Sequence, residues 1–240
     1  MHKPASRLDN RSRYRIHALL LSGLFLAACQ SAPDIRSPEP LAPVPAMPDA
    51  PVFRVDERVS QLRVLAYSAG PLARFGHNHV LVAPLYGVIH AGKTAAGSGF
   101  QLRVNVADFD IDPPAARAEE GKRFSATVPD DAREGTRQNM LGAKLLDAEN
   151  HPHIVIESMR LEGSRRNPQV TARVRLRDRE QDVEFPAAVF EQDGQLSVTA
   201  TFTLRQSAFG IEPFSVLGGG LQVDDALDVR VRIVASRNND

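Results

Sequence analysis

The chain has 240 residues, with 29 Lys and Arg against 29 Asp and Glu, one cysteine and no tryptophan. A net charge of zero gives no electrostatic footprint for nucleic acid, and a single cysteine makes neither an internal disulfide nor a thiolate-rich metal centre. Hydrophobic residues at 42% and charged residues at 24% match an ordinary globular domain, neither disordered nor a membrane bundle.

The charge is unevenly spread. Lys3, Arg7, Arg11, Arg13 and Arg15 face one acid, Asp9, in the first 28 residues, and the rest of the chain holds 24 basic and 28 acidic residues. An apolar run follows, Ala18 to Ala28 (ALLLSGLFLAA), shorter than the about 20 residues that span a bilayer. A basic start, a short apolar run and small residues together predict a secretory signal over residues 1–28. The only cysteine comes next, and Leu26-Ala27-Ala28-Cys29 resembles the lipobox of bacterial lipoproteins. That resemblance implies that Cys29 carries palmitate-type acyl chains and becomes the first residue of the mature protein. Each buried acyl methylene contributes about 0.8 kcal/mol, so several chains anchor durably where one does not. Gln30, in place of the Asp that retains lipoproteins at the inner membrane, implies an address at the outer membrane, facing the periplasm. Residues 29–52 read as a tether: Ser31 to Pro51 contains seven of the 17 prolines, which suits an extended spacer of about 3.1 Å per residue.

The remaining segment, 53–237, reads as one domain. Apolar residues alternate at Phe100, Leu102, Val104 and Val106; at Val170, Ala172, Val174 and Leu176; at Leu196, Val198, Ala200, Phe202 and Leu204; and at Leu227, Val229, Val231 and Ile233. Each series is one face of a half-buried strand. Shorter candidates cover Gln61–Ser68, Val80–His90, Ile154–Glu162 and Val183–Phe190, which makes eight strands, and Gln192-Asp193-Gly194 marks a turn between two of them. Asp131 with Glu134 resembles a capping box, and Ala132 to Leu146 lacks alternation and proline, so the segment predicts a short helix. Gly218-Gly219-Gly220 predicts a flexible loop before the last strand. An all-β antiparallel barrel or sandwich with one helical insertion is the expected architecture.

Arg137-Gln138-Asn139-Met140-Leu141, then Leu145-Leu146-Asp147, His151-Pro152 and Ile156-Glu157-Ser158, and later Arg205-Gln206-Ser207-Ala208-Phe209-Gly210-Ile211, follow one another in an order and spacing similar to the YceI-like family of exported lipid-binding proteins. The resemblance spans roughly Val59 to Ser236. It implies an extended eight-stranded lipocalin-like barrel with a helix over one side, and a binding protein, not an enzyme. The implied ligand is an isoprenoid or similar lipid-like molecule in a long apolar cavity. Phe100, Leu102, Val104, Leu145, Leu146, Phe202 and Phe209 are the candidate ligand-binding residues. An interior filled by its own side chains is the alternative. The chain departs from the family pattern at Leu145-Leu146, where an aromatic pair is usual, at Gln138 in place of Asp, and at His151 in place of Tyr. With three Tyr and eleven Phe, stacking surfaces are few.

Four of the seven histidines form two pairs, His77-Asn78-His79 and His151-Pro152-His153. In extended chain, residues two apart point the same way, so convergence of His77, His79, His151 and His153 on a transition metal or a haem is the alternative function, with His90 as an additional candidate. Asp108, Asp110, Asp112 and Glu119 match four positions of a calcium loop, but Pro113 occupies the position that needs glycine, so a polar strand exit explains these acids better. Arg173, Arg175, Arg177 and Arg179 face Glu180, Asp182 and Glu184 on one hairpin, which predicts cross-strand ion pairs. No nucleophile elbow, zinc-protease helix, phosphate loop or dinucleotide fingerprint occurs.

Overall fold

The computed structural model describes residues 50–237. The expected signal, the Cys29 acylation site and the tether up to residue 49 lie outside the described residues. In chain order the elements are β1 (Val52–Val55), β2 (Gln61–Ala66), β3 (Ser68–Ala69), β4 (His79–Pro84), β5 (Tyr86–His90), β6 (Gly99–Asn105), β7 (Asp110–Ile111), α1 (Pro114–Glu119), α2 (Asp130–Leu141), β8 (His153–Gly163), β9 (Pro168–Leu176), β10 (Arg179–Gln192), β11 (Gln195–Arg205), β12 (Ser215–Val216), β13 (Leu221–Val223) and β14 (Ala226–Arg237). Eight strands, β1-β5-β6-β8-β9-β10-β11-β14, close into an antiparallel barrel, because β14 also pairs with β1.

The long strands sit where the period-two pattern places them, and their registers keep the apolar positions on the inside. On β11 and β14, for instance, Leu196, Ala200, Val229, Ile233 and Ala235 are buried. Asp193 (φ 51) and Gly194 (φ 75) join β10 to β11 with Gln192 opposite Gln195, a two-residue turn with both central residues left-handed, the geometry that matches strand twist. The ion pairs expected on the β9–β10 hairpin form: Arg173 donates to both oxygens of Asp182 at 2.8 and 3.0 Å, and Arg175 to Glu180 at 2.7 Å.

Three staves of the barrel are broken at one level. β1 and β2 lie along successive parts of the same edge of β14, β5 pairs with β1 while β4 pairs with β2, and β7 pairs with β4 where β6 has left off. Residues 80–90 are therefore two strands meeting at Leu85, not the single strand expected. The break between β1 and β2 is sealed by Ser60, which is 2% exposed. Its hydroxyl donates to Val234 O and accepts from Val234 N, both at 3.0 Å, replacing the missing ladder bonds. At β5, Gly87 has φ 143, and a Cβ there would lie 2.1 Å from the Gln101 carbonyl oxygen across the ladder. Only glycine permits that close approach.

Beyond the break the wall is open between β7 and β8, and α2 lies over β7 there. The helix starts after Pro129 and ends at Leu141, before extended Gly142, so it is displaced from the expected 132–146 range. No capping box forms. Asp131 lies in the first turn, where its negative charge suits the helix dipole, and Glu134 accepts from Gln138. Arg137 anchors the helix, donating to the carbonyls of Phe109 and Ala107. A separate apolar cluster, Leu65, Val80, Ala116 and Phe124, packs the 114–128 segment onto the outside of β2 and β4. There Arg63 holds Glu119 at 2.9 Å and Glu120 at 2.7 Å.

Candidate ligand-binding site

Alternation along the strands directs one set of side chains into the barrel, and they do not fill it. Two apolar cavities remain. One of about 80 Å³ lies towards the closed end, bordered by Leu85, Ile89, Phe100, Leu102, Val170 and Ile233 among others. A larger one of about 250 Å³ lies at the open end beneath α2, bordered by Leu62, Leu81, Met140, Leu145, Leu146, Val174, Leu204 and Phe214 among others. An apolar cavity of about 150 Å³ already accommodates a benzene-sized guest. Phe202 and Ile156 border both spaces, and Phe202 is stacked on Phe185 with centroids 4.4 Å apart at 13°. The two aromatic rings and Ile156 thus stand where the chambers meet.

Polar side chains border both spaces: Ser98 and Arg165 reach the smaller one, the Arg165 guanidinium being held by Gly92 O and Glu191. His79, Thr136, Asn139 and Gln206 border the larger cavity. His79 opens β4, and since its neighbour two residues on, Leu81, also borders the cavity, the imidazole belongs to the inward face. Its Nδ1 lies 2.6 Å from Oδ2 of Asp112. Asp112 has φ 55 and is 2% exposed; its Oδ1 accepts from Val80 N at 2.8 Å and from the Arg117 guanidinium. Burial pushes the Asp112 carboxyl up, but the hydrogen bonds from His79, Val80 N and Arg117 outweigh it and hold the group below its ordinary value. Arg117 also donates to Asn78 O at 2.7 Å and Ala126 O at 2.8 Å. Asn78 accepts from Ser68 N at 2.9 Å and donates to Arg123 O at 2.9 Å. In the Gly76-His77-Asn78-His79 segment, then, the asparagine ties neighbouring elements together and the second histidine faces the cavity.

The structure places the candidate residues unevenly. Phe100 and Leu102 border the small cavity, Leu145 and Leu146 the large one, and Phe202 both. Val104 and Phe209 are buried in the packed core at 0% and 3% exposure and border neither space. Leu145 and Leu146 come from the turn after α2, held where Arg177 donates to Leu145 O at 3.1 Å.

The paired histidines do not converge. His77 and His79 have ring centroids 6.4 Å apart, but His153 alternates with cavity-lining Ile154 and therefore belongs to the other face of β8. His151 lies near Asp147 and Asp178 at 3.8 and 3.6 Å. Among the described residues no group of three or more His, Cys, Asp or Glu side chains is placed to hold a metal ion, so the alternative four-histidine centre does not form among them. The acids of the calcium-loop pattern also go separate ways. Asp108 accepts from Tyr86 and Asn105, Asp112 joins His79, and Glu119 pairs with Arg63.

Phe185, Ile156, Val174 and Leu204 were not foreseen as lining residues, although each sits on an alternating strand. Parity identifies an inward face but not which inward residues meet an empty space. In the sequence Asp112 belongs to a polar strand exit. Its buried pairing with His79 depends on β4–β7 contact across 33 positions, which no local pattern reveals.

Comparison with known proteins agrees with this architecture. The barrel is similar to Burkholderia cenocepacia BcnA (TM-score 0.58, 14% identity, 76% of this chain and 99% of that one). It is also similar to a polyisoprenoid binding domain from Saccharophagus degradans (TM-score 0.53, 10% identity, 78% and 98%). At these identities the likeness is one of fold. No curated sequence matches the chain. The YceI-like domain family matches residues 53–235, nearly the whole described region, and the chain belongs to that family.

Proposed function

We propose that the mature protein is a membrane-tethered periplasmic carrier that sequesters an apolar or amphipathic small molecule, isoprenoid- or lipid-like, inside its barrel, and that it is not an enzyme. The observation that carries this reading is the cavity of about 250 Å³, apolar in its depth and polar only around His79, Thr136, Asn139 and Gln206. Such a distribution suits a molecule with an apolar body and one polar end. The space continues towards a second apolar chamber past Phe202, so an elongated guest has somewhere to extend. The polyisoprenoid-binding domain of similar fold supports the same ligand class. Among the described residues that border this cavity, Thr136 is the one hydroxyl, and its proton is directed to Ala132 O at 2.8 Å and not to the His79–Asp112 pair, which disfavours nucleophilic catalysis. Tethering rests on Cys29 and its flanking sequence.

Titration of the mature chain with all-trans-retinol, a fluorescent isoprenoid alcohol, tests the binding reading. Saturable binding is expected in the wild type and at least a tenfold weakening in Leu204→Glu, which places a charge in the large cavity. No saturable binding in the wild type overturns the carrier assignment. For the tether, Cys29→Ser is expected to move the protein from the membrane to the soluble fraction of its host.

A further inference from the structure

The polar groups at the large cavity offer the ligand's head acceptors at His79 and Thr136, and both acceptors and N–H donors at Gln206 and Asn139. Asp112 is ionised beside Arg117 and is therefore an acceptor only. The short contact with His79 Nδ1 assigns the ring proton to that nitrogen, and in the neutral imidazole Nε2 is then a lone pair. Thr136 spends its hydroxyl proton on Ala132 O, keeping lone pairs. Gln206 commits an amide N–H to Asp224 O at 2.8 Å, leaving its carbonyl oxygen and one N–H. Asn139, exposed, retains both kinds of group.

We propose, on the basis of the carrier reading, that His79 is the head-group acceptor of this cavity and that the ligand is an amphiphile whose head donates a hydrogen bond, an alcohol or phenol in preference to an ether or carbonyl. A donor head meets the His79 Nε2 lone pair, with Thr136 and Gln206 offering further acceptors. At His79 an ether oxygen meets lone pair against lone pair, and it finds donors only on Gln206 and Asn139. Sites built around a hydrogen bond discriminate in this way because a wrong ligand strands a desolvated polar group. Asp112 acts through His79 as a positioning residue, fixing the tautomer.

The test compares geranylgeraniol with its methyl ether on the mature chain, by displacement of bound retinol. The wild type is expected to favour the alcohol by at least tenfold. His79→Leu, which keeps the Asp112–Arg117 pair, is expected to bring the ratio close to one. Asp112→Asn is expected to reverse it, since an asparagine N–H directed at Nδ1 drives the ring proton to Nε2. If that variant fails to fold, His79→Leu decides alone. Equal tight binding of both probes to the wild type, or a preference that survives His79→Leu, overturns the head-group assignment and leaves the carrier reading standing. Binding of neither probe removes both.

Discussion

Phe202→Ala reports whether the two chambers work in series. Phe202 stands on β11 opposite Val229, stacked on Phe185 at 4.4 Å, and borders both spaces. Truncating a fully buried phenylalanine costs about 3–5 kcal/mol. Phe202 is only partly buried, its ring already facing empty space, so about 2–3 kcal/mol is expected, of which about 0.5–1.5 is the stack. In a domain of this size each kcal/mol moves Tm by about 2–4 °C, which predicts a fall of about 4–12 °C in the free protein. The same truncation joins the chambers. If only two more methylenes of a tail are then seated, at about 0.8 kcal/mol each, affinity for the longer tail gains more than tenfold, since about 1.4 kcal/mol is a factor of ten. Thermal unfolding checks the first figure, and competition between geraniol and geranylgeraniol checks the second. A Tm that falls as expected while the chain-length ratio stays at its wild-type value refutes the serial arrangement.

Three further outcomes follow from particular contacts. Gly87→Ala places a Cβ 2.1 Å from the Gln101 oxygen at φ 143; a loss of about 2 kcal/mol or more is expected from backbone strain, measurable by urea denaturation, and an unchanged midpoint contradicts the close approach. Arg137→Ala removes two charged hydrogen bonds that hold α2 to the β6–β7 connection, worth about 1.5–3 kcal/mol each; hydrogen exchange should accelerate in α2 ahead of β9 to β11, and uniform behaviour argues against a separately anchored roof. Asp112 titrates below its ordinary value of 3.8, burial opposing and the hydrogen bonds from His79, Val80 N and Arg117 favouring the charged form. A depressed carboxyl gives stability that is complete above the unfolded value and is lost as pH falls through the folded one. The acid limb of the wild-type stability curve, below about pH 4, should therefore be steeper than that of Asp112→Asn; parallel limbs contradict the assignment.

Much of the barrel was legible because antiparallel strands with one buried face impose a period of two, and β6, β9, β11 and β14 show it over long stretches. The Asp193-Gly194 turn was legible from its need for two left-handed residues. The stave breaks were not. Pro84, directly before Leu85, is the one local hint of a division, and what divides β4 from β5 is a change of partner, which is a property of the sheet. Residues 132–146 lack strand alternation, yet the helix runs from Asp130 and stops at Leu141, because the chain turns at Gly142 to bring Leu145 and Leu146 under the roof. At the site, alternation and family resemblance together reached Phe100, Leu102, Leu145, Leu146 and Phe202. Val104 and Phe209 share the same chemistry but serve the packed core, a distinction set by three-dimensional filling. The histidine pairs show the limit most clearly. Spacing of two predicts a shared direction along one extended strand, but His79 and His153 stand on strands whose inward parities differ, and the partner His79 uses is an aspartate 33 positions away.

The central claim is that the barrel carries a guest. Native mass spectrometry of the protein isolated gently from its own host tests it most directly. A population heavier than the protein alone by the mass of one lipid-like molecule is expected, with that molecule recovered by solvent extraction and carrying a hydroxyl head. A single population at the mass of the protein alone, with nothing in the extract, contradicts it.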